Sequence, residues 1–291
     1  MKTLILAIAL LIVLSVISLF IGPVSIENIF DMTFEQRQVM LIGRLPRLVS
    51  VVITGISMSI AGLIMQCLTK NKFVAPTTAG TMDGARLGIL VSMMIGISSI
   101  FMRSVFAFFF TLATTLIFIK IINTIKIKNI IFVPLIGIMY GNILASIAMY
   151  FAYAGNFVQN INTWLIGDFS AVLRGRYEML YITIPLLIAS YVFADKFVIA
   201  GMGKDFSKNL GVNYNIILNI GMIIVSLLST AVLLTVGVIP FLGVVVPNIV
   251  SILFGDNLKK TLPIVALGGA IFLLICDIIG RLIIHPFEIP I

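Results

Sequence analysis

Charge is scarce in this sequence. Charged residues make up 10% of it and hydrophobic residues 60%, where soluble domains have about 25% and 45–50%. A soluble domain is excluded. So is a soluble core on one anchor, because apolar segments recur along the whole length with only short polar breaks. Histidine occurs once, at His285, and cysteine twice, at Cys67 and Cys276, both inside apolar runs. That leaves no Cys/His cluster for a metal and no CxxC pair. A membrane-embedded enzyme would need a His/Asp/Glu or Ser/Lys constellation at one depth, and one histidine cannot supply it. No G-x-x-x-x-G-K-[ST] phosphate loop is present either, so any energy from ATP must come through a separate subunit. Nothing in the composition asks for a cofactor.

What remains is an all-α polytopic membrane bundle. Spans of about 20 residues fit near 3–21, 46–68, 85–101, 104–122, 130–154, 179–195, 215–236, 240–254 and 262–284, which predicts nine. The first is read as a retained span rather than a signal peptide, because its apolar run is about 18 residues long and lacks a small-x-small exit. The eighth is short and holds Pro240 and Pro247. It is expected to be broken, or preceded by a re-entrant piece that is buried in protein or lines a cavity. Most phenylalanines and methionines are expected to face lipid or to pack.

The net charge of +8 would suggest nucleic acid in a soluble protein. Here the cations lie between spans and read as topology signals. With the amino terminus in the cytoplasm, every lysine falls at or near an inner end, while Arg37, Arg44, Arg47, Arg103, Arg174, Arg176 and Arg281 face outward. Arg86 alone breaks the sorting. Arginine offers a planar fork that matches carboxylates, so such an outer face suits an acidic protein surface; anchoring to lipid headgroups is the other reading. The stretch GRLPRLVS, residues 43–50, sharpens the question. Arg44 and Arg47 bracket Pro46 at what the pattern predicts to be a helix's first turn, where the macrodipole disfavours cations by about 0.3–1 kcal/mol. Something should compensate. Asp277, four residues before Arg281, can pair with it on one helix face.

Two other stretches carry a pattern. In MQCLTKNKFVAPTTAGTMDGARLG, residues 65–88, Asn71, Pro76, Gly80 and Gly84 are expected to forbid one continuous helix. GMGKDFSKNLGVN, residues 201–213, is too polar to span. Its Met202, Phe206 and Leu210 recur at i, i+4 and i+8 as one apolar stripe, with Lys204, Asp205, Lys208 and Asn209 elsewhere. It lies inside on this topology, where such a helix can rest on lipid or fit a protein groove.

RLPR at 44–47, G-x-x-x-Q at 62–66, N-x-x-x-x-P at 71–76, the glycine-rich restart after it, GVIPFLGVVVPN at 237–248, LP at 262–263, CDIIGR at 276–281 and EIP at 288–290 follow one another in a distinctive order. Over nearly the whole chain they resemble the FecCD-type permeases of ATP-binding-cassette (ABC) importers for iron-siderophores and cobalamin. NKFVAPTTAGTMDGARLG is similar to the branch that carries catecholate-type siderophores. The resemblance implies one transmembrane permease domain over residues 1–291 in the bacterial cytoplasmic membrane, translocating a ferric siderophore. It also implies the partners: cytoplasmic ATPase subunits, an extracytoplasmic siderophore-binding protein, a second permease that is either identical or a sister chain, and lipid, with no nucleic acid.

The resemblance further implies that the binding protein docks at Arg44, Arg47 and Arg281. Residues 201–213 would be the coupling helix seated in the ATPase, with Met202, Lys204, Phe206, Lys208, Leu210 and Gly211 as contacts and Gly201, Gly203 and Gly211 turning the chain at both ends. Gln66, Asn71, Pro76, Gly243, Pro247 and Asn248 are gate or pathway candidates. Pro240 and Asn248 depart from the glycine and histidine usual at their positions, and the second change removes a titratable group. Such relatives continue past E-x-P into a tenth span, so truncation or a true absence of that span is expected here. His285 is not read as a ligand. The alternative class, a secondary transporter driven by an ion gradient, predicts ionisable residues near mid-membrane, whereas the charges here cluster at span ends and loops.

Overall fold

In a computed structural model that describes residues 2–22, 33–124, 132–159 and 167–283, every regular element is helical. Each of the nine expected spans has a helical counterpart among the described residues. α1 (Lys2–Phe20) is apolar all round and mostly exposed, as a lipid-facing span should be. α2 (Phe34–Val39), a π-turn (Met40–Arg44) and α3 (Leu45–Thr69) then run on as one helix of 36 residues. Thr33 caps its start through a capping box with Gln36.

This continuity corrects the first-turn reading of GRLPRLVS. The helix begins about ten residues earlier with Glu35 in its first turn, so Arg44 and Arg47 do not face the positive end of a dipole. Pro46 survives inside the run because the π-turn precedes it. In an α-helix a proline deprives the carbonyl four residues back of its donor, and here the Ile42 carbonyl accepts instead from the Arg174 backbone N–H at 3.0 Å.

α3 ends at Lys70, which takes a left-handed conformation (φ 49°) while Asn71 N–H donates back to the Gln66 carbonyl at 3.2 Å. The break continues through a 3₁₀ turn (Pro76–Ala79) and Gly80 into α4 (Thr81–Met94). Asn71, Pro76 and Gly80 interrupt the chain as expected. Gly84 does not: it lies inside α4, where a Cβ would stand 2.1 Å from Thr114 Oγ1, so its smallness serves packing. α4 ends sooner than the expected 101 because Gly96 turns left-handed and Ile97 N–H closes onto the Ser92 carbonyl.

α5 (Ile100–Thr124) and α6 (Phe132–Ala154) follow as expected. The sixth predicted span is bent: a 3₁₀ segment (Tyr177–Ile182) and α7 (Thr183–Val192) meet α8 (Ala194–Met202) at 59°. α9 (Lys204–Asn209) is short, and α10 (Tyr214–Val236), α11 (Leu242–Phe254) and α12 (Leu258–Leu282) complete the bundle. Among the described residues, six helical runs are long and apolar enough to cross a membrane, or seven if the bent pair is one span. α4 and α11, of 14 and 13 residues, are too short to cross alone. In their approaches, 70–80 and 237–241, Val74, Pro76, Gly237 and Ile239 are buried in the bundle, while Phe73 and Phe241 are exposed.

α3 is the axis, packed against α12, α10, α11 and α1. Small residues let the backbones close up, which is how helices associate where lipid is as apolar as the side chains. A Cβ on Gly55 would stand 2.6 Å from the Gly269 carbonyl of α12, and one on Gly62 would stand 1.8 Å from the Gly243 carbonyl of α11.

Candidate functional site

The two ends of α3 differ in chemistry as the charge sorting predicts. At one end Arg44, Arg47 and Arg281 converge. Asp277, 1% exposed, accepts at Oδ1 from Arg47 Nε (3.0 Å) and Nη2 (2.8 Å) and at Oδ2 from Arg281 Nη2 (2.5 Å). Arg281 Nη1 also donates to the Ser18 and Ile21 carbonyls at 3.0 Å each, and Arg44 Nη1 to the Leu19 carbonyl at 2.7 Å. α1, which lacks an amphipathic face to direct its packing, is thereby tied to α3 and α12 by polar contacts at its end. All three arginines line a cavity of about 160 Å³ with Gly43, Ser170 and Val172. With no helix dipole to offset, Asp277 instead neutralises the charge of Arg47 and Arg281 from inside the chain. Arg37, Arg174 and Arg176 are exposed, while Arg103 is half-buried and donates to the Ile97 carbonyl at 2.8 Å.

At the other end lies a lysine cluster. Lys72 Nζ donates to Ser251 Oγ (2.7 Å) and Asp256 Oδ1 (3.0 Å), Ser251 Oγ donates to Asp256, and Lys259 pairs with Asp195 at 2.6 Å. Those hydrogen bonds hold the Asp256 carboxyl below its ordinary pKa. Lys70 Nζ donates to the Met202 carbonyl at 2.8 Å, at the entry to α9. In α9 every residue except Ser207 is exposed, and Met202, Phe206 and Leu210 are each about half exposed beside it. Ser207 is the anchor: its hydroxyl donates to the Ile199 and Gly203 carbonyls at 3.0 and 2.8 Å. Gly203 (φ 116°) and Gly211 (φ 70°) make the turns as expected. Gly201 does not turn the chain; it lies within α8 against Cys67, whose carbonyl would be 2.8 Å from a Cβ. Because the helix is only six residues long, Met202 belongs to α8 and Leu210 to the cap, so the expected stripe is spread over three elements.

Between the ends, the gate candidates gather around the break after α3. Gln66 Nε2 donates to the Gly243 carbonyl at 3.3 Å, Asn248 Nδ2 donates to the Lys72 carbonyl at 2.8 Å, and Asn71 Oδ1 accepts from Phe73 N–H at 2.9 Å. Pro76 packs on Gly243, with its Cδ 2.7 Å from where a Cβ would be. Pro247 lies inside α11 and borders a cavity of about 370 Å³ shared with Gln66, Lys70 and Lys72.

Residues 10–291 match the FecCD transport family. The chain belongs to that family. It is 54% identical over 285 residues to the petrobactin import system permease protein YclN of Bacillus subtilis (strain 168), covering 97% of this chain and 90% of that one. It is 42% identical to the ferric-anguibactin transport system permease protein FatD of Vibrio anguillarum, over 94% of this chain and 88% of that one. A solved inward-facing ABC transporter assigned to the metal-chelate type shares the fold at a TM-score of 0.87 and 22% identity, over 99% of this chain and 93% of that one.

In this FecCD chain Arg44, Arg47 and Arg281 lie together at one end of α3, residues 202–211 lie at the other, and Gln66, Asn71, Pro76, Gly243, Pro247 and Asn248 lie around the break after α3. The E-I-P motif and His285 lie outside the described residues. Sequence reasoning missed Ser207, whose only signal is a small polar residue inside a polar segment. It also missed Asp83 and Arg86, which form an ion pair at 3.1 Å on the wall of a cavity shared with Pro76 and Gly243; the sole hint was Arg86's failure to fit the charge sorting.

Proposed function

We propose that this chain is the permease subunit of an ABC importer that carries a ferric siderophore of the catecholate kind across the bacterial cytoplasmic membrane. The observation that carries the reading is α9, a short helix at the lysine end that puts Phe206 and its neighbours into the open on two glycine turns. A helix held in that way suits a groove in an ATPase subunit, and relatives named for petrobactin and anguibactin import supply the cargo class. Hydrolysis belongs to the partner; this chain contributes the path and alternates between outward and inward access with a second permease.

In this reading Met202, Lys204, Phe206, Lys208, Leu210 and Gly211 meet the ATPase, and Lys70, bonded at the entry to α9, passes its movement to Gln66, Asn71, Pro76, Gly243, Pro247 and Asn248. At the opposite end a carboxylate of the siderophore-binding protein enters the cavity lined by Arg44, Arg47 and Arg281. Exposed Arg37, Arg174 and Arg176 steer it in.

The test is to purify the tagged chain from native membranes, reconstitute what accompanies it into vesicles, and follow uptake of radio-iron-labelled ferric petrobactin. Uptake that requires ATP and a co-purified ATPase is expected. Uptake driven by a proton or sodium gradient without ATP would make the chain a secondary transporter.

A further inference from the structure

Arg86 is the cation that fits neither end of the bundle. On α4 its Nη1 donates to Asp83 Oδ1 at 3.1 Å, with both side chains largely buried, and its Nε is buried with no hydrogen-bond partner. The pair lies on the wall of a cavity of about 640 Å³, bounded also by Met58 of α3, Gly141 and Asn142 of α6, and the Pro240–Gly243 corner. Met58 and Gly62 stand about 16 and 10 Å from the lysine end of α3, at 1.5 Å per residue. Gly62 touches Gly243, which is on the cavity wall with Met58 and with Phe73 from the break after α3, so the cavity runs from the lysine end into the depth of a bundle that spans a hydrocarbon core about 30 Å thick.

Charge at that depth is expensive and marks a pathway more often than a fastening. Three features of the wall point the same way. The pair faces open space rather than packed side chains, and the guanidinium keeps donor capacity that Asp83 does not take up. Gly141 of α6 faces the pair so closely that a Cβ there would be 3.0 Å from Asp83 Oδ2, so any side chain would narrow the cavity. Phe241, at the rim, is 75% exposed and holds a left-handed backbone (φ 61°), the kind of strain that persists at working sites.

We propose that this cavity is a way-station for anionic cargo, in which the Arg86 guanidinium takes an ionised oxygen of the iron chelate and Asp83 competes for the same fork so that the cargo can leave. The proposal rests on the importer reading above. Iron(III) held by ionised catecholate oxygens carries surplus negative charge. A bare arginine would bind it tightly, whereas a pathway needs binding strong enough to admit and weak enough to release. Asp83 supplies that weakening.

The experiment uses the reconstituted complex with ferric petrobactin as the probe. The double variant Asp83→Asn with Arg86→Gln removes both charges together, so neither is left buried without its partner, the change that costs most in a buried pair. It should assemble with its ATPase and keep basal hydrolysis, yet lose uptake by about tenfold or more, the size of one charge-assisted hydrogen bond. Arg86→Lys, which keeps the charge without the fork, should fall between. On the unsubstituted complex, ferric petrobactin during turnover should slow modification of Arg86 by phenylglyoxal, read by mass spectrometry. Wild-type uptake with an equally active double variant, or Arg86 modification indifferent to cargo, overturns the way-station alone. No ATP-dependent uptake by the wild type overturns the importer reading instead.

Discussion

Arg47 of α3 and Asp277 of α12, 230 positions apart in sequence, meet through two nitrogens on one carboxylate oxygen, and Arg281 takes the other oxygen. A carboxylate shared by two buried cations is easier to keep than to remove. Replacing Asp277 by Asn leaves both guanidinium groups facing an uncharged amide, and breaking a buried pair in this way costs about 3–5 kcal/mol. The thermal unfolding midpoint of the purified chain in detergent should fall clearly. An unchanged midpoint would show that the two arginines do not need the carboxylate's charge to hold α3 and α12 together.

Gly62 and Gly243 make the tightest backbone approach among the glycine contacts of the bundle. A Cβ at position 62 would lie 1.8 Å from the Gly243 carbonyl oxygen and 2.6 Å from its Cα, so Gly62→Ala forces α3 and α11 apart. Overpacking of that kind costs about 1–3 kcal/mol, and here it also displaces the Gln66 contact. Gly43→Ala is the control, because nothing lies within 4 Å of a Cβ there. The first variant should lose stability and uptake together; the second should stay within about 0.5 kcal/mol of the parent. Equal melting of the two would mean the contact is looser than its geometry.

The spans were legible because apolar runs of this length have one use, and the opposite ends of α3 were legible because lysine and arginine sort between them. Less visible was anything decided by contact. Gly84 reads as a helix breaker in sequence and is a packing surface in the fold, because the Thr114 hydroxyl occupies the space a side chain would need. Arg44 and Arg47 read as a first turn because Pro46 usually opens helices; the π-turn that lets the helix pass through it leaves no mark in composition. The Asp83–Arg86 pair was hidden because charge three residues apart on a helix looks like an exposed face until the cavity around it is seen.

Lys72, Ser251 and Asp256 fasten the break after α3 to the end of α11. The pKa of Asp256 is lowered below the ordinary 3.8, first by the Ser251 hydrogen bond and then by Lys72. A lowered carboxylate pKa means that the stabilisation is complete above the unfolded value and disappears as pH falls through the folded one. The effect should be small, because both charged partners are largely exposed. The unfolding-midpoint difference between the parent and Asp256→Asn should be constant from about pH 6 to 8 and shrink below about pH 4. A difference that grows on acidification would reverse the sign of this account.

Phe206 and Ser207 are neighbours on α9 with opposite situations, and the difference separates fold from coupling. Phe206 is half exposed and Ser207 fully buried, so Phe206→Asp should change the stability of the isolated chain by no more than about 0.5 kcal/mol. Ser207→Ala removes a hydroxyl that holds the helix to α8 and should cost about 1 kcal/mol. If α9 seats in the ATPase, the ordering reverses in the reconstituted complex. An aspartate in an apolar groove is disfavoured by desolvation, so Phe206→Asp should lower the amount of chelate carried per ATP far more than Ser207→Ala does. The quantity to measure is that ratio, in vesicles containing equal amounts of complex. A normal ratio for Phe206→Asp would move α9 from the ATPase groove to the lipid surface, where an exposed phenylalanine contributes anchoring and nothing to the coupling.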